Sequence, residues 1–514
     1  MKTLYIKILF LLVLVSSLSS CEEDLELENP NSVTVESYYK TEQDLTKAVN
    51  ATYAVIQDAT MLAREWFFLH DTRGDDMATG GGQLEAARAQ LLNGTNDPVN
   101  SVANSVWTGC FAMIHRANVV INKAPGVEMN DETLRNRLVG EAKFLRAWAY
   151  FELVTFWGGV PLYEEYVTSL EGTLPRASTD EVYVSIIANL TDAIGALPLS
   201  ATDKGRATKG AAQTLLAKVY MQRADYASAK ALVKDVIDSG IFSLVDNYND
   251  NFLEETEFNS ESVFEVAFLD EGGSFNWWYN NGDRTGNETT LHNQEVNPTS
   301  WGNLIPSQSL LEEFESTDIG DVKTDPRYKD SFYEVGDTYA DGVLVEGNFN
   351  VASSVIRGGV AKKVGWRKHT LLYKNAASYY PGGINERVIR YAEVLLIMAE
   401  CQNETDESET NVLTTLNQLR DRVSVSMPNY PTVNYPTGTK AERFAAIVHE
   451  KRIELNGEEI RNRDILRWRA QGKLDLIGGD PISFYSEKFA LLPIPQDEID
   501  NNAKISQSDQ NTGY

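Results

Sequence analysis

The fold is decided by residues 210–240, which read GAAQTLLAKVYMQRADYASAKALVKDVIDSG. Small and large residues alternate along this segment as they must where two antiparallel helices pack closely, and residues 224–226 supply the turn between them. Four residues have the spacing of a tetratricopeptide unit: Ala217, Tyr220, Ala229 and Val233. One such unit cannot bury its own apolar face, so the segment predicts further helices stacked against it.

Candidate partner helices lie on the N-terminal side of this pair. Apolar residues recur three or four positions apart in residues 37–59, 102–123, 132–156 and 179–197, which is the spacing of an amphipathic helix. The sequence therefore predicts a mainly α fold, with a tetratricopeptide-like scaffold of helical pairs over residues 35–240. A helical bundle without repeats is the alternative architecture.

The amino-acid composition and the spacing of apolar residues change over residues 241–385. Gly, Asn, Asp and aromatic residues crowd together there, and helical spacing returns only near residues 307–314. A long irregular insertion in a compact protein usually serves as a binding surface or lid, so we expect a large loop-rich ligand-binding region. Helical spacing resumes in residues 386–402, 409–423 and 440–471, which predicts a C-terminal helical region over residues 386–514.

Composition excludes several classes of protein. With 514 residues, 42% hydrophobic, the chain can bury a large core, and 3 Cys do not make a disulfide scaffold. The net charge of -28 would repel a phosphate backbone, so no nucleic acid partner is expected. Cys110 and Cys401 lack CxxC spacing, so we expect two buried thiols, a disulfide between them being the alternative, and neither a metal site nor a cofactor.

The N-terminus has the layout of an export signal. Lys2 and Lys7 precede an apolar run at residues 8–15, which is shorter than the about 20 residues of a membrane span. We expect residues 1–20 to be a signal peptide that ends in a lipobox-like LSSC, and Cys21 to be acylated, for example by palmitate. The acidic residues 21–34 would then form a solvated tether between the lipid anchor and the folded chain.

Five sequence blocks resemble one family over nearly the whole chain. They are RAN at 116–118, GEAKFLRAWAYFELVTFWGGVPLY at 140–163, RYAEVLLIMAE at 390–400, EKRIELNGEEIRNRDILRW at 450–468 and LLPIPQDEIDNN at 491–502. In this order, and with the lipobox, they resemble the SusD/RagB family of Bacteroidetes outer-membrane lipoproteins. The chain departs from the family pattern at Glu459, where the family usually has Gly, and at Asn462, where it usually has an aromatic residue.

The resemblance implies a function as well as a fold. Members of the family are surface-exposed outer-membrane lipoproteins that bind oligosaccharide, cap a TonB-dependent (SusC-like) transporter and help deliver the nutrient to it. The resemblance implies that this chain does the same and is not an enzyme. Peptide instead of glycan, as in the RagB branch, is one alternative. A lipoprotein glycoside hydrolase is another, and it would need two carboxylates about 5 to 10 Å apart in a cleft.

The best candidate for a ligand site is residues 274–294 together with Trp301. Sugar rings lie on aromatic planes while amides and guanidinium groups satisfy their hydroxyls, and this mixture is present in Trp277, Trp278, Tyr279, Asn280, Arg284 and Trp301. Three consecutive aromatic residues cannot all point one way, so at least one is expected to be a buried anchor. Alternatively, all of these rings pin a long loop to the scaffold.

A second candidate is the segment at residues 73–76, in which Arg73 and Asp75 follow an aromatic run and precede three glycines. It resembles the family's short acidic loop near the binding face. The alternatives are a solvated loop or helix cap, and a calcium site, for which two adjacent carboxylates offer few ligands. Residues 366–380 form a third aromatic-rich region with the same ambiguity.

The acid-rich and arginine-rich residues 449–468 invite a catalytic interpretation. His449 and Glu450 begin like a zinc-protease HExxH motif, but the position of the second histidine is occupied by Ile453. We expect Glu450 and Glu454 to belong instead to a structural ion-pair network. The expected partners are Lys451, Arg452, Arg461 and Arg467.

Overall fold

The structure is a computed structural model that describes residues 38–79, 84–270, 275, 286–316, 324–339, 341–345, 353–357, 360–377, 381–482 and 485–514. The helices of its N-terminal half are α1 Glu42–Ile56, α2 Glu65–Asp71, α3 Ala86–Leu92, α4 Ser101–Lys123, α5 Glu132–Trp157, α6 Thr179–Ala196, α7 Lys209–Gln222 and α8 Tyr226–Asp238. Those of the second half are α9 His292–Val296, α10 Gln308–Glu313, α11 Arg327–Ser331, α12 Tyr391–Glu404, α13 Glu409–Arg420, α14 Lys440–Glu454, α15 Arg461–Ala470, α16 Glu487–Ala490 and α17 Gln496–Asn501.

Short strands pair in small sheets between the helices. They are β1 Met77–Thr79, β2 Ser262–Val266, β3 Leu304–Pro306, β4 Phe332–Glu334, β5 Ser353–Arg357, β6 Val360–Trp366 and β7 Glu386–Arg390. Strand β1 pairs with β3, β2 pairs with β7, and β6 lies between β4 and β5, all antiparallel.

The long helices form a continuous stack. Helix α4 packs on α1 and α5, and the packing then runs from α5 through α6 and α7 to α8. Helix α12 closes onto α8 and carries α13 and α14 on its other sides. This arrangement confirms the mainly α prediction and the scaffold of helical pairs.

Local interactions explain why the two helices α7 and α8 form and why the chain turns between them. The side chain of Thr208 caps α7 by accepting from the N–H of Ala211, and Asp225 caps α8 by accepting from the N–H of Ser228. Between them Ala224 takes a left-handed φ of 57°, which reverses the chain. The predicted helices and turn are therefore confirmed.

Helix α5 lies at the centre of the core. Phe144, Trp148 and Trp157 are at most 2% exposed, so its aromatic residues pack the interior. The helix ends in a tight turn at Gly159, where a Cβ atom would lie 2.2 Å from the carbonyl oxygen of Ala177. No residue with a side chain fits there without moving the backbone.

The RAN block at residues 116–118 has a structural role near this turn. Asn118 is fully buried, and its Nδ2 donates to the carbonyl oxygens of Tyr163 and Glu165 at 2.9 and 3.0 Å. Its Oδ1 accepts from Arg146 at 2.7 Å. These bonds tie the chain that follows α5 back onto α4.

Two helix predictions need correction. Residues 386–390 form strand β7 instead of the first turn of a helix, because they pair with β2 and the helix begins only at Tyr391. The predicted helical stretch 440–471 is broken between α14 and α15, where Gly457 and Glu459 take φ of 64° and 55°. The boundaries between the three regions of the chain stay a prediction.

The predicted ion-pair network exists, but its partners differ from the predicted ones. Glu450 lies 2.6 Å from Arg327 and 3.2 Å from Arg420. Glu454 lies within 3.0 Å of Arg327, Arg390 and Arg422. The four basic residues near them in sequence face other carboxylates, because they lie on other faces of α14 and α15: Lys451 faces Asp464, Arg452 and Arg461 face Asp75, and Arg467 faces Glu400.

The two thiols are free and buried, so the disulfide alternative does not apply. Cys401 lies in the core with its Sγ 3.3 Å from the Sδ of Met221. Within the described ranges, we find no helix whose length and apolarity would let it cross a membrane.

Candidate functional site

A pair of strands links two of the candidate segments. Strand β1 follows the acidic loop at residues 73–76, and β3 begins three residues after Trp301. Their antiparallel register places Met77 opposite Pro306 and Thr79 opposite Leu304. The backbone carbonyl of Asp75 also accepts from the hydroxyl of Ser307 at 2.5 Å. The acidic loop and Trp301 therefore lie at opposite ends of this strand pair.

Trp301 lies in this region with part of its ring exposed. The guanidinium carbon of Arg64 lies 6.0 Å from the centre of the ring. Arg64 in turn donates to Glu295 at 2.9 Å and to Glu85 at 3.0 Å. We call the surface formed by Arg64, Glu85 and Trp301 the Trp301 face.

Hydrogen bonds to the buried residue Glu295 hold the loop that carries Trp301 in place. Glu295 is fully buried and accepts from the side-chain amide of Asn303 at 2.6 Å, while its backbone carbonyl accepts from the N–H of Asn303 at 2.8 Å. Gly302, with φ of 53°, makes the bend between Trp301 and Asn303. The aromatic ring is thus presented by a loop tied at both ends to α9.

The charges of the Trp301 face suit a hydroxylated ligand. The side chain of Glu85 is 56% exposed, and although partial burial opposes ionisation, Arg88 and Arg64 hold its pKa below the ordinary value. An exposed carboxylate therefore lies beside the guanidinium of Arg64, whose central carbon lies 6.0 Å from the centre of an aromatic ring. Such a group accepts hydrogen bonds from hydroxyls while the ring covers an apolar face.

Arg73 does not lie on this surface. It is 1% exposed, its Nη2 donates to the carbonyl oxygen of Phe489 at 2.6 Å, and its guanidinium stacks on the Phe489 ring at 4.4 Å. Burial lowers the pKa of Arg73 to about 10. We therefore assign Arg73 a structural role in place of the expected ligand contact.

Asp75 is held by two arginines. It lies 2.7 Å from Arg461 and 2.9 Å from Arg452, and these charges outweigh burial and hold its pKa at about 2. Asp75 also lines a cavity of about 510 Å³ with Glu313, His449 and other residues. A role in ligand binding stays a prediction for this residue.

The remaining candidates divide into two groups. Trp277, Trp278, Tyr279, Asn280 and Arg284 lie outside the described residues, so their part in the site stays a prediction. In the third aromatic-rich region, Trp366 is buried against Gly457, where a Cβ atom would lie 3.0 Å from its ring. That ring is therefore an anchor and not a surface platform.

Sequence reasoning missed Arg64, Glu85 and Glu295. Arg64 and Glu295 are 231 positions apart, and neither lies in a motif. No local pattern marks such a pair, because the contact joins two segments that are far apart in the sequence.

Two family models match the chain. One, described as the SusD family, matches residues 260–514, and the other, described as "Starch-binding associating with outer membrane", matches residues 24–221. Among curated proteins the chain is similar to SusD-like protein P25 of Formosa agariphila, with 25% identity over 98% of both chains. It is also similar to SusD-like protein P2 of the same organism, with 26% identity over 99% of both.

Solved structures share the architecture. A "Laminarin binding SusD-like protein" is 27% identical, with a TM-score of 0.73 over 93% of this chain and 100% of that one. Surface glycan-binding protein A from Bacteroides thetaiotaomicron, in complex with laminarihexaose, has a TM-score of 0.71 and 22% identity over 92% of this chain and 100% of its own. The second likeness concerns the fold alone.

Proposed function

The chain belongs to the SusD family, and on that premise we propose that it is a glycan-binding protein that holds an oligosaccharide without cleaving it. The observation that carries the proposal is the Trp301 face. Trp301 is partly exposed, the guanidinium carbon of Arg64 lies 6.0 Å from the centre of its ring, and Arg64 pairs with the exposed carboxylate of Glu85 at 3.0 Å. This combination offers an apolar plane and charged hydrogen-bonding groups within one small surface.

The similarity to a laminarin-binding relative supports a glycan as the ligand class. The expected affinity is modest, because a single aromatic platform contributes little. Covering about 60 Å² of ring face at about 25 cal/mol/Å² gives about 1.5 kcal/mol, or roughly tenfold in Kd. A weak, reversible grip suits a protein that must release its ligand.

Location and partner form the second half of the proposal. The chain would be anchored at the outer membrane by acyl groups on Cys21, with residues 21–34 as the tether, and would face the cell exterior. It would hand its ligand to a TonB-dependent, SusC-like transporter. A family description that names the outer membrane and the lipobox-like LSSC ending at Cys21 support this part.

The proposal is tested by affinity electrophoresis in gels that contain laminarin or other soluble glycans. We expect retardation of the wild-type chain and a loss of about tenfold in affinity in Trp301→Ala. Tyr166→Ala is the matched control, because it removes another partly exposed ring that lies against a cation, Lys123 at 5.1 Å.

Three results would overturn the proposal. The first is equal retardation of wild type and Trp301→Ala, which would remove the Trp301 face from the site. The second is the release of new reducing ends from the polysaccharide, which would make the chain a hydrolase. The third is binding to peptides and to no glycan, which would assign the chain to peptide capture.

A further inference from the structure

Five charged side chains form one ion-pair cluster at the Trp301 face. They are Arg64, Glu65, Glu85, Arg88 and Glu295. Four of them are almost fully covered, with exposed fractions between 0% and 11%. The side chain of Glu85, in contrast, is 56% exposed. A ligand at this face therefore meets a carboxylate before it meets any other of these five charges.

The guanidinium group of Arg64 is already surrounded by carboxylates. Its Nε donates to Glu295 at 2.9 Å, its Nη2 lies 3.0 Å from Glu85, and its Nη1 lies 3.7 Å from Glu65. Proteins usually bind a carboxylate or sulfate through the paired N–H groups of an arginine. An anionic ligand would have to displace a carboxylate of this chain from Arg64, and two of the three belong to buried side chains.

The second arginine of the cluster, Arg88, is held inside the protein. Its side chain is 1% exposed, and its guanidinium carbon lies 4.1 Å from the centre of the Phe68 ring. It pairs with Glu65 at 2.8 Å and also with Glu85. Partial burial opposes ionisation of Glu85, but Arg88 and Arg64 hold its pKa below the ordinary 4.5. Glu85 is therefore negatively charged at neutral pH.

The wider surroundings have the same sign of charge. In the sequence of the candidate segment 274–294, Arg284 is outnumbered by Asp283 and Glu288. The whole chain carries a net charge of -28. Because salt screens charges that are more than about 8–10 Å apart, the nearby carboxylates contribute most to what a ligand experiences.

The local structure of α3 does not explain why residue 85 is a glutamate. Glu85 is the N-cap residue of α3, but its side chain makes no capping hydrogen bond, and Glu is not among the residues preferred at this position. An ion pair of a half-exposed carboxylate adds little stability. In addition, Arg64 and Arg88 already have buried carboxylate partners. A role in contact with a ligand accounts for this residue better.

We propose that the Trp301 face selects uncharged glycans over glycans that carry carboxylate or sulfate groups, and that Glu85 sets this preference. The inference rests on the proposed glycan binding and adds the class of glycan. A carboxylate offers about four acceptor positions, so Glu85 can pair with arginines and still accept from sugar hydroxyls. The same carboxylate repels a sugar that carries a negative charge of its own.

The test compares two probes that share one backbone. They are laminarihexaose and the same hexaose with its primary hydroxyls oxidised to carboxylates, each titrated into the purified full chain in a calorimeter. We expect the uncharged hexaose to bind at least about fivefold more tightly, because two like charges about 4 Å apart lower an affinity by roughly this factor even in water. The preference should shrink when NaCl is raised from about 0.02 M to about 0.5 M.

The decisive variant is Glu85→Gln, which keeps the size of the side chain and removes its charge. The ratio of the two affinities should fall by about fivefold in this variant. Glu132→Gln is the matched control, because Glu132 is a 68% exposed carboxylate that also pairs with an arginine, Arg135 at 3.1 Å. It lies at the start of α5 and changes the net charge of the chain by the same amount, so the ratio should stay as in the wild type.

The outcomes separate this inference from the proposed function. Equal or tighter binding of the oxidised hexaose to the wild type would refute the selectivity and leave glycan binding intact. A ratio that is the same in Glu85→Gln as in the wild type would refute the role of Glu85. Absence of binding to both hexaoses would count against the proposed function as well as against this inference.

Discussion

Replacing Glu454 by Gln should destabilise the protein more than any surface charge change. The Glu454 side chain is fully buried, and its carboxylate lies 2.9, 3.0 and 2.7 Å from Arg327, Arg390 and Arg422. Glutamine has the same shape but no charge, and its amide group would point donors at donors. The variant therefore leaves an excess of positive charge in the interior.

The size of the stability loss depends on which carboxylate partners each arginine retains. Arg327 keeps Asp325 and Glu450, while Arg390 and Arg422 keep Glu261. Each of these guanidinium groups keeps at least one carboxylate partner, but the network loses one negative charge. Breaking a buried ion pair from one side costs about 3–5 kcal/mol, and the retained partners place Glu454→Gln near the lower end.

The pH dependence gives an independent check. Burial opposes ionisation of Glu454, but Arg422, Arg390 and Arg327 hold its pKa below the ordinary 4.5. A lowered folded-state pKa stabilises the protein above the unfolded-state value and loses that effect as the pH falls. The stability difference between wild type and variant should therefore be largest above pH 4.5 and shrink below it.

Urea unfolding followed by tryptophan fluorescence measures the difference. Glu407→Gln is the control, because Glu407 forms a 2.7 Å pair with Lys230 in which both side chains are about one quarter exposed. That change should cost under about 1 kcal/mol. If Glu454→Gln loses no more than Glu407→Gln, or if its deficit does not change with pH, the interpretation of the network is wrong.

Three further predictions concern the anchor, the turn after α5 and the acidic loop. Cys21→Ser should move the protein from the membrane fraction to the soluble fraction of the cells that express it, and full retention would contradict lipid anchoring. Gly159→Ala should lose about 1–3 kcal/mol in chemical denaturation, because the new Cβ meets the carbonyl of Ala177 at 2.2 Å. Gly195→Ala, with nothing within 4 Å, should gain about 0.5–1 kcal/mol, and equal effects of the two would refute the packing argument. Asp75→Asn should destabilise the chain at neutral pH, with a deficit that shrinks from pH 3.8 towards about 2 as the wild-type carboxyl is protonated; a constant deficit would contradict the pairing with Arg461 and Arg452.

The parts of the fold that follow from neighbouring residues could be predicted from the sequence. Helices α4, α5 and α6 match their predicted spans to within one residue, because spacing and caps lie inside each segment. Strand β7 was missed because its partner β2 is more than a hundred positions away. The same reason accounts for the arginines of the buried network, which come from three distant segments.

The candidate site was less predictable. Trp301 could be named because it follows a segment that mixes aromatic and polar residues as a sugar site does, but Arg64 near its ring carries no local signal. The break between α14 and α15 was also missed, because helical spacing continues through residues 440–471. One signal was present: the family resemblance expects glycine at Glu459, and the structure gives that residue a left-handed φ.

The central claim is that this chain binds a glycan and does not cleave it. It is tested most directly by calorimetry of the purified chain with a panel of defined oligosaccharides, laminari-oligosaccharides first, with analysis of the recovered sugar. We predict saturable binding to at least one member of the panel and recovery of that sugar at its original length. Absence of heat with every glycan, or shortening of the bound one, would contradict the account.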